Sequence, residues 1–115
     1  SSSSAASDVY KRQVLGDRFG RSAATRLMML AADVAAGHGV LTSQNHPYAG
    51  DHLIERHGRP ERGFHALQLE VDRALYLDVT LDRPGPGLTR MQGVVAAIAE
   101  ALANELPRSY AMAAE

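Results

Sequence analysis

Two apolar stripes at helical spacing, one near each end of the chain, most constrain what these 115 residues can fold into. Between residues 23 and 36, Ala24, Leu27, Met28, Leu30, Ala31, Val34 and Ala35 recur at intervals of three and four, which gathers them on one helix face. Gly37 and Gly39 end that helix, and Ser22 is the candidate N-cap. Leu88, Met91, Val94, Val95, Ile98, Ala101, Leu102 and Leu106 draw the second stripe, closed by Pro107. Both stripes need an apolar surface to cover. The run FHALQLEVD supplies one: Leu67, Leu69 and Val71 alternate with Ala66, Gln68 and Glu70, the period of a strand. Val14 and Leu15, ahead of Gly16, read as a strand end, and VLTSQN as a second short strand. RALYLDVTLD reads as a turn followed by a further extended piece, and RPGPG as a sharp connection. The order strand, helix, strand, loop, strand, turn, helix predicts an α/β domain, a partial mixed sheet flanked by helices. There are too few strands for a doubly wound unit.

Composition narrows the function classes. The chain has the size of one small domain, with 45% hydrophobic and 22% charged residues. The absence of cysteine excludes a disulfide scaffold and a thiol nucleophile. Twelve basic and thirteen acidic residues are dispersed, so no basic block marks a nucleic-acid surface. Apolar runs are too short to span a bilayer, so no membrane partner is expected. GDRFG and RPGPG lack the spacing of a phosphate loop. Residues 1–13, SSSSAASDVYKRQ, have no periodicity and no apolar signal-peptide core. They are expected to be a non-native or disordered leader, with the domain beginning at 14.

Chemically dense residues cluster in NHPYAGDHLIERHGRP. His52 and Glu55 stand three apart and would share a helix face, so with His57 or His65 they could ligate zinc. The zinc helix with histidines four apart enclosing a glutamate is absent, and a solvated helical turn is the simpler reading. Glu70, late in an apolar strand, is a candidate general base, or else a structural glutamate paired to Arg73 or Arg18. Asn45 and Tyr48 frame Pro47; they either fix a turn or orient a polar substrate. Arg18 and Arg73 are candidate partners for a substrate carboxylate, though most arginines are surface residues. His65 is a substrate contact or a satisfied histidine at the core rim, and His38 serves only helix termination.

Three phrases in order, VLGDRFGRSA, NHPYAGDHLIERHGRP and HALQLEVDRALYLD, closely resemble the carboxy-terminal part of the N-formylglutamate amidohydrolase family, over about Val14 to Leu106. The resemblance implies the carboxy-terminal portion of a zinc-exopeptidase-like (phosphorylase/hydrolase-like) fold. The implied activity is hydrolysis of N-formyl-L-glutamate to formate and L-glutamate in histidine degradation, in the cytoplasm, on a small acidic N-acyl amino acid. It implies Zn2+ in the intact enzyme, with ligands upstream of this chain and none in it, and a fragment inactive alone. Gly16, Asp17, Arg18 and Gly20 match one family phrase; Asn45, Pro47, Tyr48 and Gly50 match a second; His65, Gln68, Glu70, Arg73 and Tyr76 match a third. By that likeness Glu70 is the catalytic base acting on a zinc-bound water. Arg18 or Arg73 would hold the substrate carboxylates, Asn45 would support the oxyanion, and Tyr48 and His65 would contact substrate. Asp51 stands where the family usually has a second glycine, which bears on the loop tip and on substrate charge. The alternatives are an amidohydrolase for another N-acyl amino acid and a non-catalytic α/β interaction domain.

Overall fold

The computed structural model describes residues 13–106. Strand β1 (Gln13–Gly16) is the centre of a three-stranded sheet of order β2-β1-β3. It pairs in parallel with β2 (Thr42–Gln44) and antiparallel with β3 (Gln68–Glu70). All four β1 residues are buried, as befits a strand paired on both edges. Helix α1 (Thr25–Gly37) joins the two parallel strands, and α3 (Leu88–Ala103) follows β3 after a long connection. A short helix, α2 (His52–His57), interrupts the polar loop. The molecule is therefore a small α/β unit with a mixed sheet, as the order of sequence patterns implies.

Alternation decides which side chains enter the core. Leu15 faces Leu69 across the β1–β3 ladder, and both pack under the helices. Leu67 and Val71 lie on the same side, as their period-two spacing predicts. From above, α1 contributes Met28, Ala31 and Ala35, and α3 contributes Met91, Val94 and Ile98. Ala31, Ala35 and Val94 have no exposed surface; the small alanines let the two helices approach closely. Burying a side chain such as Leu15 or Met28 contributes about 2–3 kcal/mol. The carbonyl of His38, at the end of α1, accepts a hydrogen bond from Arg90 of α3 at 2.9 Å.

Four local readings change. Ser22 does not cap α1: the N-cap is Ala24, and Ser22 Oγ instead donates to the Ala66 carbonyl at 2.8 Å. The run FHALQLEVD yields only three strand residues. Ahead of β3 the chain bonds to Ser22, and after it Asp72 accepts from the Ala74 N–H and opens a 3-10 turn at Arg73–Leu75. The second extended piece shrinks to one antiparallel bridge after that turn, Leu77 with Pro84. Asp78 Oδ1 gathers the N–H groups of Thr80, Asp82 and Arg83 and the Thr80 hydroxyl, which closes the chain into a tight turn and limits the pairing to that bridge. The Thr80 hydroxyl first, then the Asp82 N–H, hold the Asp78 carboxyl below the usual carboxylate range. Finally, Gln13 is not leader but the buried first residue of β1. Residues 1–12 and Pro107 lie outside the described residues.

Candidate active site

Loops 17–20 and 45–50 leave the carboxyl ends of the parallel strands β1 and β2, so they rise from the same edge of the sheet. One polar lock joins them. Asn45 Nδ2 donates to Asp17 Oδ1 at 2.9 Å, and Asn45 Oδ1 accepts the Asp17 N–H at 3.0 Å. Asp17 Oδ1 also accepts from the Gly20 N–H at 3.0 Å, and Asp17 is only 3% exposed. A buried carboxylate needs such donors, because desolvation without them is costly. Asn45 takes φ 65°, a left-handed conformation that asparagine tolerates better than most residues. Arg18 and Phe19 are also left-handed, at φ 54° and 57°, and the Arg18 N–H donates to the Ala49 carbonyl at 2.8 Å. Backbone strain of this kind persists only where surrounding bonds over-determine it. The His46–Pro47 peptide bond is cis.

Gly16 and Gly50 fit this packing for separate reasons. A Cβ on Gly16 would lie 2.6 Å from the Ala49 carbonyl, so the second loop rests directly on the end of β1. Gly50 has φ 122°, which only glycine adopts freely. Asp51, by contrast, has φ −87° and ψ 172°, ordinary extended backbone. The aspartate is therefore unstrained, and its Oδ1 accepts the His52 N–H as the N-cap of α2.

The structure distributes the candidate residues unevenly. The Arg18 guanidinium donates to the Gly50 carbonyl at 3.1 Å and to Glu55 Oε2 at 2.9 Å, tying the loop to α2. Glu55 is thus the partner of an arginine, and among the described residues no three His, Cys, Asp or Glu side chains form a group that could hold a metal ion. His65 Nδ1 accepts the Ala24 N–H at 3.0 Å, satisfying a donor at the start of α1. Tyr48 is exposed on the loop, two residues after His46, whose ring centroid lies 5.8 Å from that of Phe19. Arg73 is exposed on the 3-10 turn after β3.

Glu70 lies on the open face, opposite the helices, because Leu69 points into the core. Its place differs from the one strand polarity suggests. Since β3 runs antiparallel, Glu70 pairs with Val14, while Gln68 pairs with Gly16 at the loop-bearing edge. Gln68, singled out in the sequence only by face and family phrase, joins the two: its Oε1 accepts the Asp51 N–H at 2.7 Å and its Nε2 donates to Glu70 Oε1 at 2.7 Å. Neither Arg18 nor Arg73 pairs with Glu70 among the described residues. A groove of about 470 Å3, lined by Val71, Tyr76, Met91 and Val95 among others, has none of Arg18, Asn45, Tyr48, Glu70 or Arg73 in its lining.

Glu70 thus stands on the open sheet face, and the two loops locked together by Asp17 and Asn45 rise from its edge. The structure matches the crystal structure of N-formylglutamate amidohydrolase from Ralstonia eutropha JMP134 with a TM-score of 0.73 and 28% identity. The match covers 84% of this chain and 35% of that one, so this chain spans about a third of the bacterial enzyme's length. The sequence pattern of the N-formylglutamate amidohydrolase family matches residues 3–77, which include every candidate residue above. The chain belongs to the N-formylglutamate amidohydrolase family. No curated protein matches it. Among the described residues no helix is long and apolar enough to cross a membrane.

Proposed function

We propose that this chain is the carboxy-terminal part, from about residue 13, of a longer cytoplasmic amidohydrolase of zinc-exopeptidase-like fold. That enzyme would hydrolyse N-formyl-L-glutamate to formate and L-glutamate, and the segment alone would be inactive. The observation that carries the reading is Glu70: an exposed carboxylate on the open face, held by Gln68 within a segment matching the family. Glu70 takes a proton from the attacking water and returns it to the leaving nitrogen of glutamate as the carbon–nitrogen bond breaks. Arg73 is the freer of the two arginines to meet a substrate carboxylate, since Arg18 already binds Gly50 and Glu55. Asn45 contributes by holding the loop through Asp17, and Tyr48 borders the substrate from the rim. His65 acts at one remove, through the start of α1. The zinc that family likeness implies does not fit the residues described here, and its ligands would belong to the remainder of the enzyme.

In the intact enzyme, Glu70→Gln should lower turnover at least about a hundredfold while leaving folding unchanged. Near-normal turnover would remove Glu70 from the base role.

Asp51 favours a second reading, an amidohydrolase for a less acidic N-acyl amino acid. Its exposed carboxylate is borne by the residue whose N–H holds Gln68, so it adds negative charge near Glu70. On a panel of N-formyl and N-acyl amino acids, Asp51→Gly should raise kcat/KM for N-formylglutamate relative to neutral substrates by about threefold or more. An unchanged ratio would leave N-formylglutamate as the better substrate assignment.

A further inference from the structure

Gln68 sits between a loop and a carboxylate, and both ends of its amide are engaged. Residues 68 and 70 share one face of β3 because side chains two apart in a strand point the same way. A glutamine offers one acceptor and one NH2 group, and at this site the orientation is decided by its neighbours. The Asp51 N–H can only donate, so Oε1 must face it, which leaves Nε2 toward Glu70. Both contacts are 2.7 Å. Because a backbone N–H supplies the anchor, any residue at 51 except proline can provide it, aspartate included.

The anchor is itself fixed. Asp51 follows Gly50, whose carbonyl is held by Arg18, and the loop ahead of it is tied to β1 through Asn45 and Asp17. Rigidity therefore passes from the loop through one neutral amide to one oxygen of Glu70. The amide adds no formal charge beside the carboxylate, unlike an arginine in its place, and leaves Glu70 Oε2 free of this contact.

We propose that Gln68 is a positioning residue for Glu70, coupling the geometry of the 45–51 loop to the aim of the general base. This rests on the base reading of Glu70. Two variants in the intact enzyme separate the halves of the relay. Gln68→Met removes both bonds; Gln68→Glu retains an acceptor for the Asp51 N–H and, assayed at a pH high enough that the two adjacent carboxyls no longer share a proton, offers no donor to Glu70. Both should lower kcat about tenfold with KM within about twofold, since a misaligned base weakens the transition state more than ground-state binding. Amide hydrogen exchange should read Asp51 as protected in the unaltered protein and in Gln68→Glu, and as faster in Gln68→Met. A wild-type kcat in either variant, beside an inactive Glu70→Gln, overturns the positioning role alone. A loss confined to KM also overturns it, because it makes Gln68 a substrate contact. Unprotected Asp51 in the unaltered protein overturns it even if neither variant folds. Full turnover in Glu70→Gln removes the base reading and this proposal together.

Discussion

The two faces of the sheet are built on different principles. Beneath α1 and α3, Leu15, Met28, Ala31, Met91, Val94 and Ile98 interlock with no polar partner required. On the opposite face and along the loop-bearing edge that borders it, almost every named contact is polar and directional: Gln68 with Asp51 and Glu70 on the face, Asp17 with Asn45 and Arg18 with Glu55 at the edge. Hydrophobic burial is non-directional and tolerates small shifts. Hydrogen bonds fail within a few tenths of an ångström or a modest rotation, so a face assembled from them holds side chains at defined angles. The helix face supplies stability, and the loop face supplies aim.

The largest effects should fall on opposite readouts. Glu70→Gln, at least a hundredfold in turnover, should leave the urea midpoint of unfolding where it was, because Glu70 is exposed and buries nothing. Leu15→Ala, at a site 1% exposed, should cost about 3 kcal/mol of folding stability. Its surviving folded fraction should retain the arrangement of the open face. A Glu70→Gln variant that loses as much stability as Leu15→Ala would erase the division between the faces.

The same division explains what could be read from the sequence. The stripes through Leu27, Met28, Ala31 and Ala35, and through Met91, Val94 and Ile98, announce two helices and the side each buries. The alternation of Leu67, Leu69 and Val71 marks the strand face they cover. Periodicity is a local signal, and these are the parts of the fold that local signals govern. The loop face is made by partners far apart in the chain, such as Asp17 with Asn45 and Arg18 with Glu55. Nothing in the spacing of Glu55 distinguishes a zinc ligand from the partner of Arg18. Nor does the sequence reveal that β3 runs antiparallel, which moves Glu70 away from the loop edge and gives Gln68 its place there. Ser22 misleads for a related reason, since its hydroxyl has the N-cap chemistry but finds the Ala66 carbonyl instead. The family phrases mark the relevant residues without indicating which of them bond to one another.

A smaller effect, about 2 kcal/mol, is expected for Asn45→Ala, which removes the two hydrogen bonds with Asp17 and a longer one from the Phe19 N–H, and leaves a buried carboxylate short of a donor. Alanine also bears the cost of φ 65° at that position, so part of the loss is backbone. Asn45→Gly separates the terms: it should recover about 1 kcal/mol of the loss, while the lost hydrogen bonds account for the rest. Full recovery in the glycine variant would show that conformation, and not the Asp17 lock, is what Asn45 provides.

The smallest effect tests how rigid the loop face is at its outer edge. The side chains of Arg18 and Glu55 are 25% and 43% exposed, so water screens their attraction. A double-mutant cycle on the pair should give a coupling below about 1 kcal/mol, shrinking toward zero in 1 M salt, where the screening length falls to about 3 Å. The hydrogen bond from Arg18 to the Gly50 carbonyl should be less sensitive to salt, because its acceptor is uncharged. Arg18→Met should therefore cost more than Glu55→Gln, and the excess should persist at high salt. Equal costs would assign the anchoring of the loop to the ion pair and leave the carbonyl contact without a measurable share.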